Sequence, residues 1–482
     1  MRCRFAIAAL AVAGIAQPVA AESLPEVLAA AYATNPELAA ARAAVRRLDD
    51  QLPIVRSGMR PSVNGSINFS QELDENLDDF GRRTTAGVRI TQPVWAGGRV
   101  QAGIRAVDAQ IGAARERLRA LENRIIADAV QAYADVLATR AEVELNRNQV
   151  RVLERQLQAS TDRFEVGDLT RTDVAQSQAR LEGARANLVV AEGNARRAEE
   201  AFRRVVGRLP GRLDPLPELP PLPASVEEAR DIALANSPDL LAARYDEKAA
   251  DEQVTVAKRE RFGEANVNST FAYQAIRGGP LAPFLIDGLT ATIGVNMSIP
   301  IFTSGLVAAR VRQAQAAQSE ALERIEGTAR AVTEATINAW TVLKAAESFI
   351  RSTRVAIDAN ELAAEGVRQE NLVGNRDILD VLNAEQELLS SRVALVRAER
   401  DRYVAAYRLL QAMGMALARA DLPPDGRHDP DRHFRRVDRT WREFRADPDP
   451  RESRQRDRPP AAPAPEPLPG PPPSIRDRER AE

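Results

Sequence analysis

The sequence predicts a mostly α-helical protein with some β-structure, built from one large unit written twice. In each copy, two strands of bilayer-crossing length precede long coiled-coil helices, and three chains would close them into a 12-stranded barrel continued by an α-helical tunnel. Three observations predict this. Stretches of the first half recur about 200 residues later; each copy holds two segments of strict two-residue alternation; and each holds over a hundred residues without proline.

The duplication is read first. FEVGDLTRTDVAQSQARL at 164–181 returns as ENLVGNRDILDVLNAEQEL at 370–388, with Gly167 against Gly374, Asp173 against Asp380 and Leu181 against Leu388, each pair 207 residues apart. VRITQPVWAGGRV (88–100) meets VNMSIPIFTSGLV (295–307) at the same offset, and SLPEVLAAAYATNPELAAAR (23–42) meets SVEEARDIALANSPDLLAAR (225–244) at 202. A repeat this long lies far beyond solenoid periods of roughly 20–50 residues. The units are 22–209 and 224–420, joined by the proline-rich linker PGRLDPLPELPPLP at 210–223.

The elements follow in order. Arg2 and Arg4, the apolar run at 6–16 and the small residues Val19-Ala20-Ala21 form a secretory signal over 1–21. Cys3 is the only cysteine and leaves with it, so no disulfide, thiol chemistry or acylation site is expected in the processed chain. Leu24, Val27, Leu28, Ala31 and Leu38 then mark one helix of moderate length.

Strands come next. VNGSINFSQ (63–71) puts Val63, Gly65, Ile67 and Phe69 on one face and Asn64, Ser66, Asn68 and Ser70 on the other. GLTATIGVNMSIPIF (288–302) alternates in the same way, with TTAGVRITQ (84–92) and ANVNSTFAYQ (265–274) as shorter counterparts. Beyond the strands proline disappears, from Pro93 to Pro210 and again from Pro300 to Pro423. Ile104, Val107, Ile111, Ala114, Leu118, Leu121 and Ile125 keep 3-4 spacing, and Val311 through Ala339 keep it with smaller side chains. Sixty-seven residues from Gly98 to Phe164 make about 100 Å of helix. In each copy a glycine, Gly167 or Gly374, interrupts helical sequence as the turn of a hairpin. The last stretch, 421–482, is rich in Pro, Arg and Asp and is expected to be disordered, with Phe434, Trp441 and Phe444 as its apolar anchors.

Composition closes off other classes. The formal charge of −2 leaves no nucleic-acid footprint. Enzymatic parts are lacking: both histidines, His428 and His433, fall in the tail, and Gly98–Gly103 is followed by Ile104-Arg105 rather than the Lys-Ser/Thr of a phosphate loop. His428 with His433 is assigned to solvated tail rather than a metal site, so neither cofactor nor metal is predicted.

Four strands of this length reach across a bilayer but cannot close, and an open edge in lipid costs several kcal/mol per unpaired amide. Three chains would supply twelve strands, with Asn, Ser and Thr wetting the lumen and outer-membrane lipid against the apolar face. Their helices would extend a hollow cylinder into the periplasm. The alternative is a periplasmic coiled-coil scaffold or adaptor whose alternating segments form a small soluble sheet.

The duplicated NPELAAAR/SPDLLAAR, QPVWAGGR/IPIFTSG and VGDLTRTDV/VGNRDILDVL stretches resemble the TolC family of trimeric outer-membrane channels, over about residues 22–420. The resemblance implies a homotrimer in the outer membrane, an exit duct that takes substrates from an inner-membrane transporter and its periplasmic adaptor. It places the tunnel's closed tip at Gly167 and Gly374. It matches Asp380 to the first acid of the family's tip ring, with Asn383 where the second is expected. It matches Thr172, Asp173 and Arg376 to a polar network that holds the closed state, with Asn371 in place of a tyrosine. The missing lipidation cysteine and the turn motifs lean toward the secretion-type branch. Physically, three converging Asp380 carboxylates would repel, attract cations and raise one another's pKa. An Asp173–Arg376 pair at a wet tip would contribute ~0.2–1 kcal/mol.

Overall fold

Proline and glycine punctuation sets the helix ends of the chain, whose computed structural model describes residues 21–73, 79–277, 288–423, 427–438 and 440–441. Residues 1–20 of the expected signal at 1–21, Phe444 and the rest of the tail lie outside the described residues. One unit ends at Asp438; a second begins at Arg439.

The expected first helix is two. Helix α1 (Leu24–Thr34) stops at Asn35, which is extended at φ −64°, ψ 123° because Pro36 follows, and α2 (Pro36–Asp49) starts there. The Asn35 side chain accepts from the amides of Glu37 and Leu38, an N-cap that steadies the new start. The second copy breaks likewise at Ser237-Pro238, between α6 (Val226–Asn236) and α7 (Pro238–Arg259). Helix α3 (Gln51–Ser57) leads to the strands.

Strands β1 (Ser62–Leu73), β2 (Asp79–Trp95), β3 (Glu264–Arg277) and β4 (Gly288–Ser298) form one antiparallel sheet in the order β1-β2-β3-β4. The two copies therefore meet at the β2–β3 pair, and β1 and β4 are edges. β4 ends earlier than the alternation to Phe302 suggested: Pro300 has no amide to donate, and Ile301 and Phe302 beyond it are almost wholly exposed. One face carries Val63, Ile67, Val88, Phe271, Leu289, Ile293 and Val295, all exposed. The other carries Asn, Ser and Thr. Among the described residues no helix is long and apolar enough to span a membrane.

Helices α4 (Arg99–Glu165) and α8 (Leu306–Leu372) each run 67 residues, the length read from the sequence for the first copy. Each folds back as a hairpin, onto α5 (Arg171–Val206) and α9 (Ile378–Ala412). α4 and α9 lie side by side, so the hairpins share a seam. Heptad-spaced acids of α4 meet arginines of α9 along it. Glu142 takes both forks of Arg397 at 2.8 and 2.9 Å, Asp135 lies 3.3 Å from Arg400, and Asp128 lies 2.9 Å from Arg408. Burial pushes the Asp135 carboxyl up against the opposing pull of Arg400.

Midway along the hairpins α1, α2, α4, α5, α6, α8 and α9 bury the main core, around Leu28, Leu38, Ile126, Tyr133, Phe202 and Leu409. The 210–223 linker is part of this packing rather than a free spacer. Tyr133 Oη donates to the carbonyls of Asp214 (2.7 Å) and Glu22 (3.1 Å), and Arg140 donates to those of Gly211 and Pro210.

The first part of the tail folds rather than staying disordered, and it is pinned by Phe434, one of its expected apolar anchors. Helix α10 (Asp431–Val437) packs on α2 and α4. Phe434 joins Leu52, Val107 and Ile111. Its ring lies under the Arg115 guanidinium, 5.1 Å away, and Arg115 also pairs with Asp431 at 2.7 Å. Asp438 pairs with Arg56, His433 lies 3.3 Å from Asp50, and the His428 amide donates to Tyr32 Oη. Both histidines are thus partly covered, and burial together with Arg42 and Arg46 holds the His428 imidazole below its usual pKa. Trp441, in the second unit, is exposed.

Phe434→Ala should loosen this docking by about 1.5–2 kcal/mol, roughly 10- to 30-fold in the undocked population. Limited proteolysis at 427–438 should speed up accordingly while the melting of the helical body stays near wild type. Unchanged cleavage would show that the ion pairs alone hold the segment.

Candidate functional site: the paired hairpin tips

The two hairpin turns are the same object. In both, the helix ends with a pair of hydrogen bonds that closes a left-handed glycine: Gly167 N to Phe164 O (3.0 Å) with Asp168 N to Arg163 O (2.9 Å), and Gly374 N to Asn371 O (3.1 Å) with Asn375 N to Glu370 O (2.9 Å). Gly167 sits at φ +83° and Gly374 at +79°, and a Cβ at either would touch nothing within 4 Å. Backbone conformation, not crowding, requires glycine there. The returning helices start on side-chain caps, Thr170 for α5 and Asp377 for α9.

Behind the turns, Val150, Leu153, Leu181 and Ala184 of the first hairpin close on Ile378, Val381 and Leu382 of the second. The tips are therefore held together by a small apolar cluster. Around it the polar groups mostly satisfy their own hairpin. Arg163 pairs with Asp168 at 2.7 Å; Arg376 pairs with Glu370 at 2.8 Å and with Asp380, one helical turn on, at 3.3 Å. Both acids favour the charged guanidinium of Arg376, Glu370 the more strongly.

Between hairpins two bonds cross. Arg163 Nη1 donates to Asn371 Oδ1 at 3.5 Å, and Arg180 Nη2 donates to Asn383 Oδ1 at 2.9 Å. Asn371 is buried, and its amide also donates to the Arg376 carbonyl at 2.8 Å, bracing the turn from inside.

The sequence-predicted residues divide accordingly. Asn371, Arg376 and Asp380 come together on the second tip, and Asn383 faces the first hairpin. Thr172 is exposed on the first turn of α5. Asp173 does not meet Arg376 within the chain. It accepts from the Thr170 amide (2.9 Å) and hydroxyl (2.8 Å) in a capping box. The Thr170-x-x-Asp173 spacing was the signal for that. Glu370, Arg163 and Arg180 were not foreseen; only Glu370, six residues ahead of Arg376 across a tight turn, could have been.

An open-edged sheet with one wet and one apolar face, set on paired helical hairpins about 100 Å long, defines a class: an outer-membrane channel protein. Comparison with known proteins makes the family explicit. A sequence model of the family described as "Outer membrane efflux protein" matches residues 27–208 and 229–415, one match in each copy. Outer membrane efflux protein BepC of Brucella suis biovar 1 is 34% identical over 426 residues, covering 88% of this chain and 92% of that protein. Outer membrane protein TolC of Escherichia coli K12 is 24% identical over 430 residues, covering 84% and 85%. A crystal structure of CusC superposes with a TM-score of 0.72 at 18% identity, covering 81% of this chain and 91% of that one. The chain belongs to the outer membrane efflux protein family. It is a transport protein of the outer membrane, and the expected resemblance to TolC holds over both repeats.

Asn371→Ala removes the brace under the Arg376 carbonyl and the acceptor for Arg163, a loss of about 1–2 kcal/mol confined to the tip. Amide hydrogen exchange at Gly374 and Asn375 should quicken roughly tenfold, with α4 and α8 amides unaffected. Equal rates would mean that the turn holds itself.

Proposed function

We propose that three copies of this chain assemble into a duct through the outer membrane, receiving substrates from an inner-membrane transporter through a periplasmic adaptor, and that the paired tips form its periplasmic gate. The observation that carries this reading is the four-stranded sheet whose edge strands, β1 and β4, have no partner strand among the described residues. In lipid such edges must be paired, and copies of the same chain, β4 of one beside β1 of the next, supply the pairing without a second protein.

The helices support it independently. α4 buries twenty-six of its 67 residues, whereas α8 buries nine. α8 instead exposes Leu322, Ile337, Val342, Phe349, Val355, Leu362 and Leu372 along its length, and α5 exposes Val189 and Val190. Apolar faces of that extent call for a neighbour.

At the tip, Asp380 stands as the ring acid with Arg376 beside it, and Asn383, bound to Arg180, makes the second position neutral. Asn371 takes the place of a latch residue by joining Arg163 to the second turn. Thr172 and Asp173, on the outer side of the first tip, face whatever neighbour completes the ring. The Arg163–Asp168, Arg376–Glu370 and Arg376–Asp380 pairs are largely exposed, and such pairs contribute roughly 0–1 kcal/mol each, which suits a closure that a docking partner must undo.

Arg376→Glu places a third carboxylate between Glu370 and Asp380, so repulsion should spread the tips. The detergent-extracted trimer in planar bilayers should conduct several-fold better and prefer cations more strongly. Conductance equal to wild type would remove Arg376 from the gate. Protein that is monomeric and stays soluble without detergent would remove the duct itself.

A further inference from the structure

Strand register sorts the wall of the sheet into two sets of side chains. Thr85, Gly87, Arg89 and Thr91 of β2 share the polar face, and Thr91 Oγ1 donates across it to Asn268 Oδ1 of β3 at 3.1 Å. Arg89 stands opposite Asn64 of β1 and Thr270 of β3, and Thr270 in turn stands opposite Thr292 of β4. One row across all four strands thus reads Asn, Arg, Thr, Thr.

The nearest same-face residues along β2 are Gly87 and Thr91, so no carboxylate flanks Arg89 on any side. Arg89 is exposed and makes no hydrogen bond or ion pair among the described residues. Contrast the base of the sheet, where Glu264 on the same face is matched by Arg99 at 3.3 Å. An arginine stays charged at any physiological pH, so this cation is permanent and unneutralised. Arg83, further out on the same face, is exposed as well.

We propose that Arg89 from three protomers, with Arg83 beyond it, forms a basic girdle inside the barrel that concentrates anions and depletes cations, so that the exit favours cargo carrying negative charge. This rests on the trimeric-barrel reading above. Three such side chains at one level act within about 10 Å of the wall at 0.1 M salt, and further at lower salt. The tip has the opposite bias, with Asp168, Glu370, Asp377 and Asp380 clustered there. The tip is thus acidic, and the Arg89 level of the barrel basic.

The test uses the full chain, whose only cysteine, Cys3, lies in the signal segment. Asn64→Cys and, separately, Thr270→Cys place a thiol on either side of Arg89. Each is reacted, in outer-membrane vesicles at low salt, with an anionic and a cationic methanethiosulfonate reagent, with Arg89 intact and as Arg89→Gln. The anionic-to-cationic rate ratio should fall roughly fivefold on losing Arg89, and by less in about 1 M salt. A ratio indifferent to Arg89 at both reporters, with the thiols freely reactive, overturns the girdle and leaves the barrel standing. Thiols closed to both reagents, or no more reactive than Ile67→Cys on the apolar face, overturn the wet barrel and the girdle with it.

Discussion

Backbone amides on two strand edges govern the rest of this molecule. A four-stranded sheet with one wet face and one apolar face has no stable place as a single copy. In water its apolar face is exposed; in lipid its edges are unpaired at several kcal/mol per group. Only closure against like strands relieves both penalties at once. Because β2 and β3 come from different repeats yet pair within the chain, the duplication makes one continuous wall segment, and the edges left over are those of its outer strands.

The same incompleteness recurs in the helices, unequally between repeats. α4 and α8 have the same length and begin on equivalent left-handed glycines, Gly98 and Gly305. α4 is enclosed by α1, α2, α3, α5, α7 and α9, whereas α8 meets α6, α7 and α9. Two copies that began alike have therefore diverged in burial. The smaller side chains that keep register from Val311 to Ala339 belong to the helix with fewer neighbours in its own chain. The duplicated halves are thus packed unequally within the chain and are not two interchangeable modules.

How much was legible follows from the range of each interaction. The turns, the 67-residue helices and the strand faces were readable because glycine φ, helical spacing and pleat alternation are local. The break at Asn35-Pro36 was equally local, and the two X-Pro pairs at an offset of 202 marked it. Of helix α10 only the anchor Phe434 was readable, not the helix or its partners. It is held by Phe434 against Leu52 and Val107 and by Asp438 against Arg56, partners more than 300 residues away in a segment whose composition alone says disorder. At the tips, Gly167, Gly374 and the Arg376–Asp380 pair were within reach. Arg163–Asn371 and Arg180–Asn383 were not, since each joins two hairpins whose packing the sequence does not state.

Where the duct can open follows from how bonds are distributed along the seam between hairpins. From Asp128 to Glu142 that seam is tied by arginines of α9 onto acids spaced seven apart, with Glu142 buried under a two-pronged Arg397. Breaking that contact strands a buried charge, which costs several kcal/mol. At the tip the charged groups close on their own hairpins instead, and only two bonds, at 3.5 and 2.9 Å and both onto neutral asparagines, cross between them. Parting the tips leaves no buried ion unpaired. The wall is therefore tied by buried charge in its middle and by an apolar cluster with two neutral bonds at its end, so on the proposed gate reading the deformation that strands no buried ion is a splaying of the tips about the seam.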